Sequence, residues 1–378
     1  MLIFKNSKAY IRGRGIVRTD IAVENGTIRE IGKGLCGGQE VDTGDCLLVA
    51  GFIDEHIHGA AGADAMDGSA RALETISRAL LKEGTTSFLA TTMTQSVDKL
   101  AAAVGAAAGF KGDGARLLGV HLEGPFISRK HLGAQPSEHV VSPSVEFFRR
   151  LESVSDNVIK MVTLAPEEGG AAELIKYLKE SGVTVSAGHS NATAEDMRVA
   201  AERGVTCVTH TFNAMSPCHH REIGLAGSAL LCDGLFSEVI ADTVHVSVPA
   251  LKLLIKNKPA DKLVLVTDSI RAKGIEGSVS ELGGQTVYVE NGQARLQDGT
   301  LAGSVLIMNE AVRNLVRKCG TTVEYAVDCA TYNPASNLGL QDRYGIIKVG
   351  AAADFALLDE EFNVKATVVG GILKQALH

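Results

Sequence analysis

The chain has 378 residues, 45% of them hydrophobic, with 41 glycines and a net charge of −7. That length allows one large domain with a smaller companion, and the composition excludes a disordered chain. An acidic balance without any block of lysine and arginine argues against a nucleic-acid or anionic-membrane surface.

The amino-terminal segment MLIFKNSKAYIRGRG lacks an apolar core of signal-peptide length, and no apolar run approaches the ~20 residues that cross a bilayer. Seven cysteines, none in a CxxC pair, read as reduced thiols. Together these features predict a cytoplasmic protein with no nucleic-acid and no membrane partner.

The first fifty residues read as short strands. ENGTIREIG, after the alternating TDIAV, predicts a hairpin around an Asn25-Gly26 turn. From Leu47 onward the pattern changes to eight short apolar runs: 47–53, 86–91, 116–122, 159–165, 183–187, 205–209, 236–241 and 263–267. Amphipathic segments that stop at glycine fill most of the intervals, among them SARALETISRALLKEG, AAELIKYLKESG and TAEDMRVAAERG. Strand and helix alternating eight times predict an α/β fold, a (β/α)8 TIM-like barrel. A hairpin insertion is expected over 283–298, followed by a closing helix in SVLIMNEAVRNLVRKCG.

The tail returns to strand in YGIIKVGAAADFALLD and NVKATVVGGILK. Both termini are therefore expected to build one small β-sandwich, residues 1–49 plus 344–378, beside a barrel spanning 50–343.

Barrel chemistry sits where the strands end at their carboxyl side, so the residues just past each run carry the functional expectation. His56 and His58 follow the first run, His121 and Glu123 the third, His189 the fifth and His210 the sixth. Asp242 and His245 follow the seventh, and Asp268 the eighth. Side chains two apart on an extended chain point the same way, so His56 and His58 aim at one spot. A lone histidine at a strand end is most often a hydrogen-bonded structural residue, and Asp268 alone could cap a helix. Six of eleven histidines on one rim, with two carboxylates, exceed that explanation. Imidazole and carboxylate suit a divalent transition metal. One ion is expected between His56 and His58 and another between His189 and His210, with Glu123 in reach of both. Asp268 is placed to exchange protons with an activated water.

The motifs GFIDEHIHG, HLEGPF, GHS, HTFNAM, REIGLAG, VTDS and TYNPASNLGL resemble the amidohydrolase superfamily. HLEGPF with HTFNAM narrows the resemblance to its N-acetylglucosamine-6-phosphate deacetylase branch. The resemblance runs nearly end to end and implies the barrel and terminal sandwich reached above. It implies a hydrolase that removes the N-acetyl group of N-acetyl-D-glucosamine 6-phosphate, yielding glucosamine 6-phosphate and acetate in amino-sugar catabolism. It also implies one or two divalent ions (Zn, Fe, Mn or Co) per subunit and a homodimer.

Metal-ligand positions carry over to Glu123, His189 and His210, and to His56 and His58 for the second ion; the acid/base position carries over to Asp268. Sugar-phosphate positions carry over to Ala134, Gln135, Asn213, Ala214, Arg221, Asp242, Thr243, Val244, His245, Leu301, Ala302 and Gly303. Hydantoinase-like relatives bridge two metals with a carboxylated lysine at the fourth strand. Here that strand ends in LAPEE, and its lysine, Lys160, lies at the opposite end. In part of the branch Gln135 is replaced by histidine, which polarises the substrate carbonyl; glutamine donates a hydrogen bond without a charge. Arg221 offers a fork of donors matched to phosphate, facing its own or a neighbour's site.

Two other readings stand beside this one. The same chemistry on N-acetylgalactosamine 6-phosphate differs at one hydroxyl. A catalytically silent amidohydrolase-like scaffold would be expected to have lost metal ligands, and none is missing here.

Overall fold

The computed structural model describes residues 1–277 and 279–376. Eight strands form one parallel sheet: Phe52–Ile57, Thr85–Thr92, Arg116–Glu123, Ile159–Leu164, Thr184–Ala187, Val205–Val208, Phe236–Ile240 and Leu263–Val266. Each pairs with the next in chain order, as in a barrel.

The seam between the first and eighth strands is closed by single hydrogen bonds. The Thr267 hydroxyl donates to Asp54 Oδ2 at 2.5 Å and the Asp268 N–H to the His56 carbonyl at 2.8 Å. The His58 N–H donates to the Ser269 carbonyl at 2.9 Å. These bonds bring the end of the first strand against the end of the eighth.

The crossover helices form where sequence periodicity and caps agree. In Ala70–Leu80, Leu73, Ile76 and Leu80 recur at helical spacing and all are buried against the sheet. Ser69 caps that helix by accepting from Ala72 N at 3.2 Å, and Gly84 turns left-handed just past it. Thr193 and Asp196 form a capping box before Ala194–Arg203.

The two termini share a second sheet of eight strands. Its order runs from Ile372–Ala376 through Val364–Val369, Phe355–Leu358, Leu47–Ala50, Leu2–Ile11 and Gly15–Glu24 to Thr27–Gly32, with Gln39–Asp42 also on Leu2–Ile11. The hairpin at Asn25-Gly26 is as expected, both residues having positive φ. The sheet has its own core, in which Phe4 meets Phe355 edge to face at 5.2 Å between ring centres.

Two expectations need adjustment. The run 47–53 divides at Gly51: Leu47–Ala50 belongs to the terminal sheet and Phe52–Ile57 to the barrel. Both halves are wholly buried, so apolar patterning cannot separate them. Gly51 is required there because a Cβ would lie 2.1 Å from the Thr86 hydroxyl. The hairpin expected after the eighth strand is present, Gln285–Glu290 pairing antiparallel with Gln293–Arg295, but a third strand, Val279–Leu282, precedes it and extends the insertion to a three-stranded sheet. No helix among the described residues is long and apolar enough to cross a membrane.

Candidate metal and substrate site

At the carboxyl end of the barrel four imidazoles and two carboxylates meet. Glu123 Oε1 lies 3.1 Å from His189 Nε2, 3.1 Å from His210 Nε2 and 3.4 Å from His56 Nε2. Its second oxygen faces His58 Nε2 at 3.3 Å. Asp268 Oδ1 lies 3.2 Å from His58 Nε2 and 3.6 Å from His56 Nε2. All six residues are buried. They fall into two groups with potential ligand atoms within 4.8 Å of one another, His56–His58–Asp268 and Glu123–His189–His210.

Outer hydrogen bonds decide what these rings present. The Nδ1–H of His58 donates to the Thr91 carbonyl at 3.2 Å and that of His189 to the His131 carbonyl at 2.9 Å. The His56 Nδ1–H donates to Glu238 Oε2 at 3.0 Å. With Nδ1 protonated, neutral rings point bare Nε2 lone pairs inward, toward carboxylate oxygens that only accept. Nε2 of His189 and His210 are 3.1 Å apart, and buried Nε2 of His56 has no hydrogen-bond partner among the described residues. A pocket of acceptors facing acceptors calls for a cation, and this donor set fits a divalent transition metal.

The electrostatics agree. Burial works against the charged form of Glu123, yet His56, His189 and His210 hold its carboxyl well below the ordinary carboxylate range. Burial likewise opposes ionised Asp268, and His56 and His58 keep it low. Burial also disfavours charged His58, but Asp268 and Glu123 outweigh it and push the imidazole up to about 10. The raised imidazole reports a strongly negative spot in a dry setting, and the lowered carboxyls report the positive charge that this spot draws, which the rings carry as protons and a metal cation can carry in their place.

The rim is built at some cost to the backbone. His189, His210, Phe212, Ala214, Thr243 and Asp268 all adopt left-handed φ, between 30° and 81°. Such conformations cost non-glycine residues about 1–3 kcal/mol each and persist only where surrounding contacts impose them. Here the contacts are visible: Ser128 N–H donates to the His189 carbonyl, and Ser304 N–H to that of Asp268.

A cavity opens above the cluster. Of the residues expected to bind the sugar phosphate, Ala134, Gln135, Asn213, Ala214, His245, Leu301 and Gly303 line it. His58, Glu123, His189, His210 and Asp268 form its floor, with His56 just beneath. Asp242 acts on His245 from outside: its Oδ2 accepts from His245 Nδ1 at 2.6 Å and its Oδ1 from His245 N at 2.8 Å.

Thr243, Val244 and Ala302 are not among the residues that line the cavity. Arg221 lies away from the cavity, exposed, with its guanidinium against His220 Nε2 at 2.9 Å. Gln135 does not point freely at a ligand. Its amide donates to Glu123 Oε2 at 2.7 Å while its carbonyl accepts from Thr94 N at 2.7 Å. His121, although near the same strand end, faces the barrel interior, with Nδ1 on the Glu55 carbonyl and Nε2 on the Thr163 hydroxyl.

Sequence reasoning overlooked Met93, Leu282 and Thr300 in the lining and Glu238 behind His56. Leu282 and Thr300 come from the ends of the insertion after the eighth strand, just outside the hairpin expected over 283–298. Glu238 was legible as the one charge inside the apolar run FSEVIA.

The pattern that defines the amidohydrolase family matches residues 47–373. The N-acetylglucosamine-6-phosphate deacetylase of Bacillus subtilis (strain 168) is 44% identical over 333 residues, covering 86% of this chain and 84% of that protein. A crystal structure of the N-acetylglucosamine-6-phosphate deacetylase from Pasteurella multocida superposes with a TM-score of 0.94 at 32% identity, over the whole of both chains. A variant of the Mycobacterium smegmatis enzyme, solved in complex with N-acetyl-D-glucosamine-6-phosphate, superposes with a TM-score of 0.92 at 28% identity, covering 99% of each chain.

Proposed function

The chain belongs to the amidohydrolase family, and from that premise we propose that it hydrolyses the N-acetyl group of N-acetyl-D-glucosamine 6-phosphate to D-glucosamine 6-phosphate and acetate. The observation that carries this reading is the convergence of four Nε2 atoms with Glu123 and Asp268 at the floor of one cavity. The relatives that match over most of the chain bear the name of this activity, and one is bound to this substrate.

We assign Glu123, His189 and His210 to one divalent ion (Zn, Fe, Mn or Co), and His56 and His58 to a second. Such an ion supplies Lewis acidity and lowers the pKa of water to about 7. Asp268, ionised beside the positive charge of this cluster, accepts a proton from the attacking water. It then returns that proton to the amide nitrogen as the C–N bond breaks, so water's oxygen leaves in acetate and its hydrogens are shared between amine and solvent.

Gln135 orients Glu123 through the 2.7 Å bond and donates no charge. His245, braced by Asp242, joins Asn213, Ala214 and Ala134 around the sugar. Thr243, Val244 and the segment Leu301 to Gly303, including Ala302, shape the wall. Arg221, exposed on its loop, reaches the phosphate in the site of a second copy of the chain, which makes the working unit a homodimer. The terminal sandwich is assigned to 1–49 with 344–378, and the barrel to 50–343. A cytoplasmic location goes with free thiols at all seven cysteines.

Acetate release from N-acetylglucosamine 6-phosphate, measured with and without a chelator, tests the proposal. Release by the metal-loaded protein that the chelator abolishes is the expected result. No acetate from metal-loaded protein would sink the activity, and chelator-insensitive release would sink the metal dependence. Competition against N-acetylgalactosamine 6-phosphate at equal concentration decides the epimer.

A further inference from the structure

We infer that Glu238 is a positioning residue for His56, acting through that ring to strengthen its hold on an ion; the inference rests on the metal-dependent reading above. Glu238 lies in the middle of the seventh barrel strand with its side chain turned into the barrel, fully buried. Its Oε2 receives the His56 Nδ1–H at 3.0 Å and also the His210 backbone N–H at 3.3 Å. One oxygen thus ties the first strand's histidine to the sixth strand's end.

The other three rings are treated differently. His58 and His189 donate their Nδ1–H to neutral backbone carbonyls, and His210 Nδ1 has no partner among the described residues. Only His56 has a carboxylate behind it. A carbonyl fixes tautomer and direction alone, whereas a carboxylate also pushes electron density toward the far nitrogen and makes it a stronger ligand. That far nitrogen, Nε2, is the buried atom without a hydrogen-bond partner that faces Glu123 and Asp268.

Charge accounting points the same way. Glu55, Cys207 and His121 come close to Glu238; the first two bring no positive charge, and both ring nitrogens of His121 are engaged elsewhere, by the Glu55 carbonyl and the Thr163 hydroxyl. Glu238 Oε1 has no hydrogen-bond partner among the described residues. A buried carboxylate in that position is uncompensated unless the His56 ring carries a proton on both nitrogens or, with Nε2 bare, passes on the charge of a cation bound there. Glu238 and a metal ion on opposite faces of one imidazole stabilise each other.

The experiment is zinc binding to the full-length chain and its E238Q, E238A, H56A and H56A/E238A variants, each stripped and titrated with zinc against a competing chelator. Thermal unfolding of the stripped proteins identifies any variant that fails to fold; Gln, which keeps size and acceptor but not charge, is the variant expected to fold in every case. The expected result is a 10- to 100-fold loss of zinc affinity in E238A, a smaller loss in E238Q, and no further loss when E238A is added to H56A. Equal affinity in the parent and E238Q and E238A would overturn the inference, as would losses from H56A and E238A that simply add. A parent chain that binds no zinc would instead overturn the metal-dependent reading.

Discussion

The rim of the barrel and the terminal sheet use the same extended backbone for opposite ends. Along the rim, His189, His210, Phe212, Ala214, Thr243 and Asp268 are held in left-handed conformations that their side chains resist. In the terminal sheet and its turns the non-glycine positions with positive φ are fewer: Asn6 and Asn25, a residue type that tolerates it, and Phe362 in the turn before Val364–Val369. The rim buries carboxylates beside imidazoles; the sheet buries Phe4, Ile21, Leu48 and Phe355 against one another. Strained backbone clusters along the rim, where buried carboxylates meet imidazoles, whereas the sheet's few buried acids, Asp20 and Asp354, are paired with Lys5 and Arg116.

That contrast is open to attack, most forcefully at Asp268, the proposed acid/base. Asp268→Asn keeps the shape and removes the proton acceptor, so kcat should fall by roughly 10²–10⁴-fold with metal content by elemental analysis and thermal stability nearly unchanged. A loss of ion or of fold in step with activity would make Asp268 a structural residue and erase the contrast.

Phe355→Ala is the opposite probe. Its ring is wholly buried against Phe4, and its removal should cost about 3–5 kcal/mol in denaturant unfolding while kcat stays within twofold of the parent. A matching fall in kcat would mean that the sheet tunes the site and that the two regions are not separable.

Asp54 lies between the two regimes, one step below the rim. Burial pushes its carboxyl up to about 6 from 3.8, although Lys273 and the Thr267 hydroxyl pull the other way. An acid whose folded value is raised binds its proton more tightly in the native state, so its contribution to stability is lost as pH rises from about 4 to about 6. The stability difference between the parent and Asp54→Asn should therefore shift by roughly 2–3 kcal/mol across that window, the parent losing ground as pH rises. A flat difference would show that the seam tolerates a charge and that buried acids near the rim are not under strain.

Much of this division can be read from the chain. The eight barrel strands appear as apolar runs because a parallel sheet is buried on both faces, and the ligand set appears because polar residues interrupt those runs at their ends. What cannot be read is whatever depends on partners far along the chain. Gln135, expected to meet substrate, is spent on Glu123 and Thr94, and nothing in LGAQP signals those partners. Arg221, basic beside two histidines, turns out to stand outside the cavity of its own chain. Glu238 declares itself as a charge in an apolar strand, but that it backs His56 across 182 positions is a fact of closure. The run 47–53 hides a change of sheet because burial is complete on both sides of Gly51.

The closure of the seam has a bearing on how the molecule comes into being. Asp54 and Thr267 meet across 213 positions, and the Asp268 N–H bonds the carbonyl of the residue that also supplies an imidazole. During synthesis the growing polypeptide carries histidines from its fifty-sixth residue onward, yet their shared anchorage awaits the emergence of the last barrel strand. The group of Glu123, His189 and His210 can form before that strand, but His56, His58 and Asp268 meet only when the ring is complete.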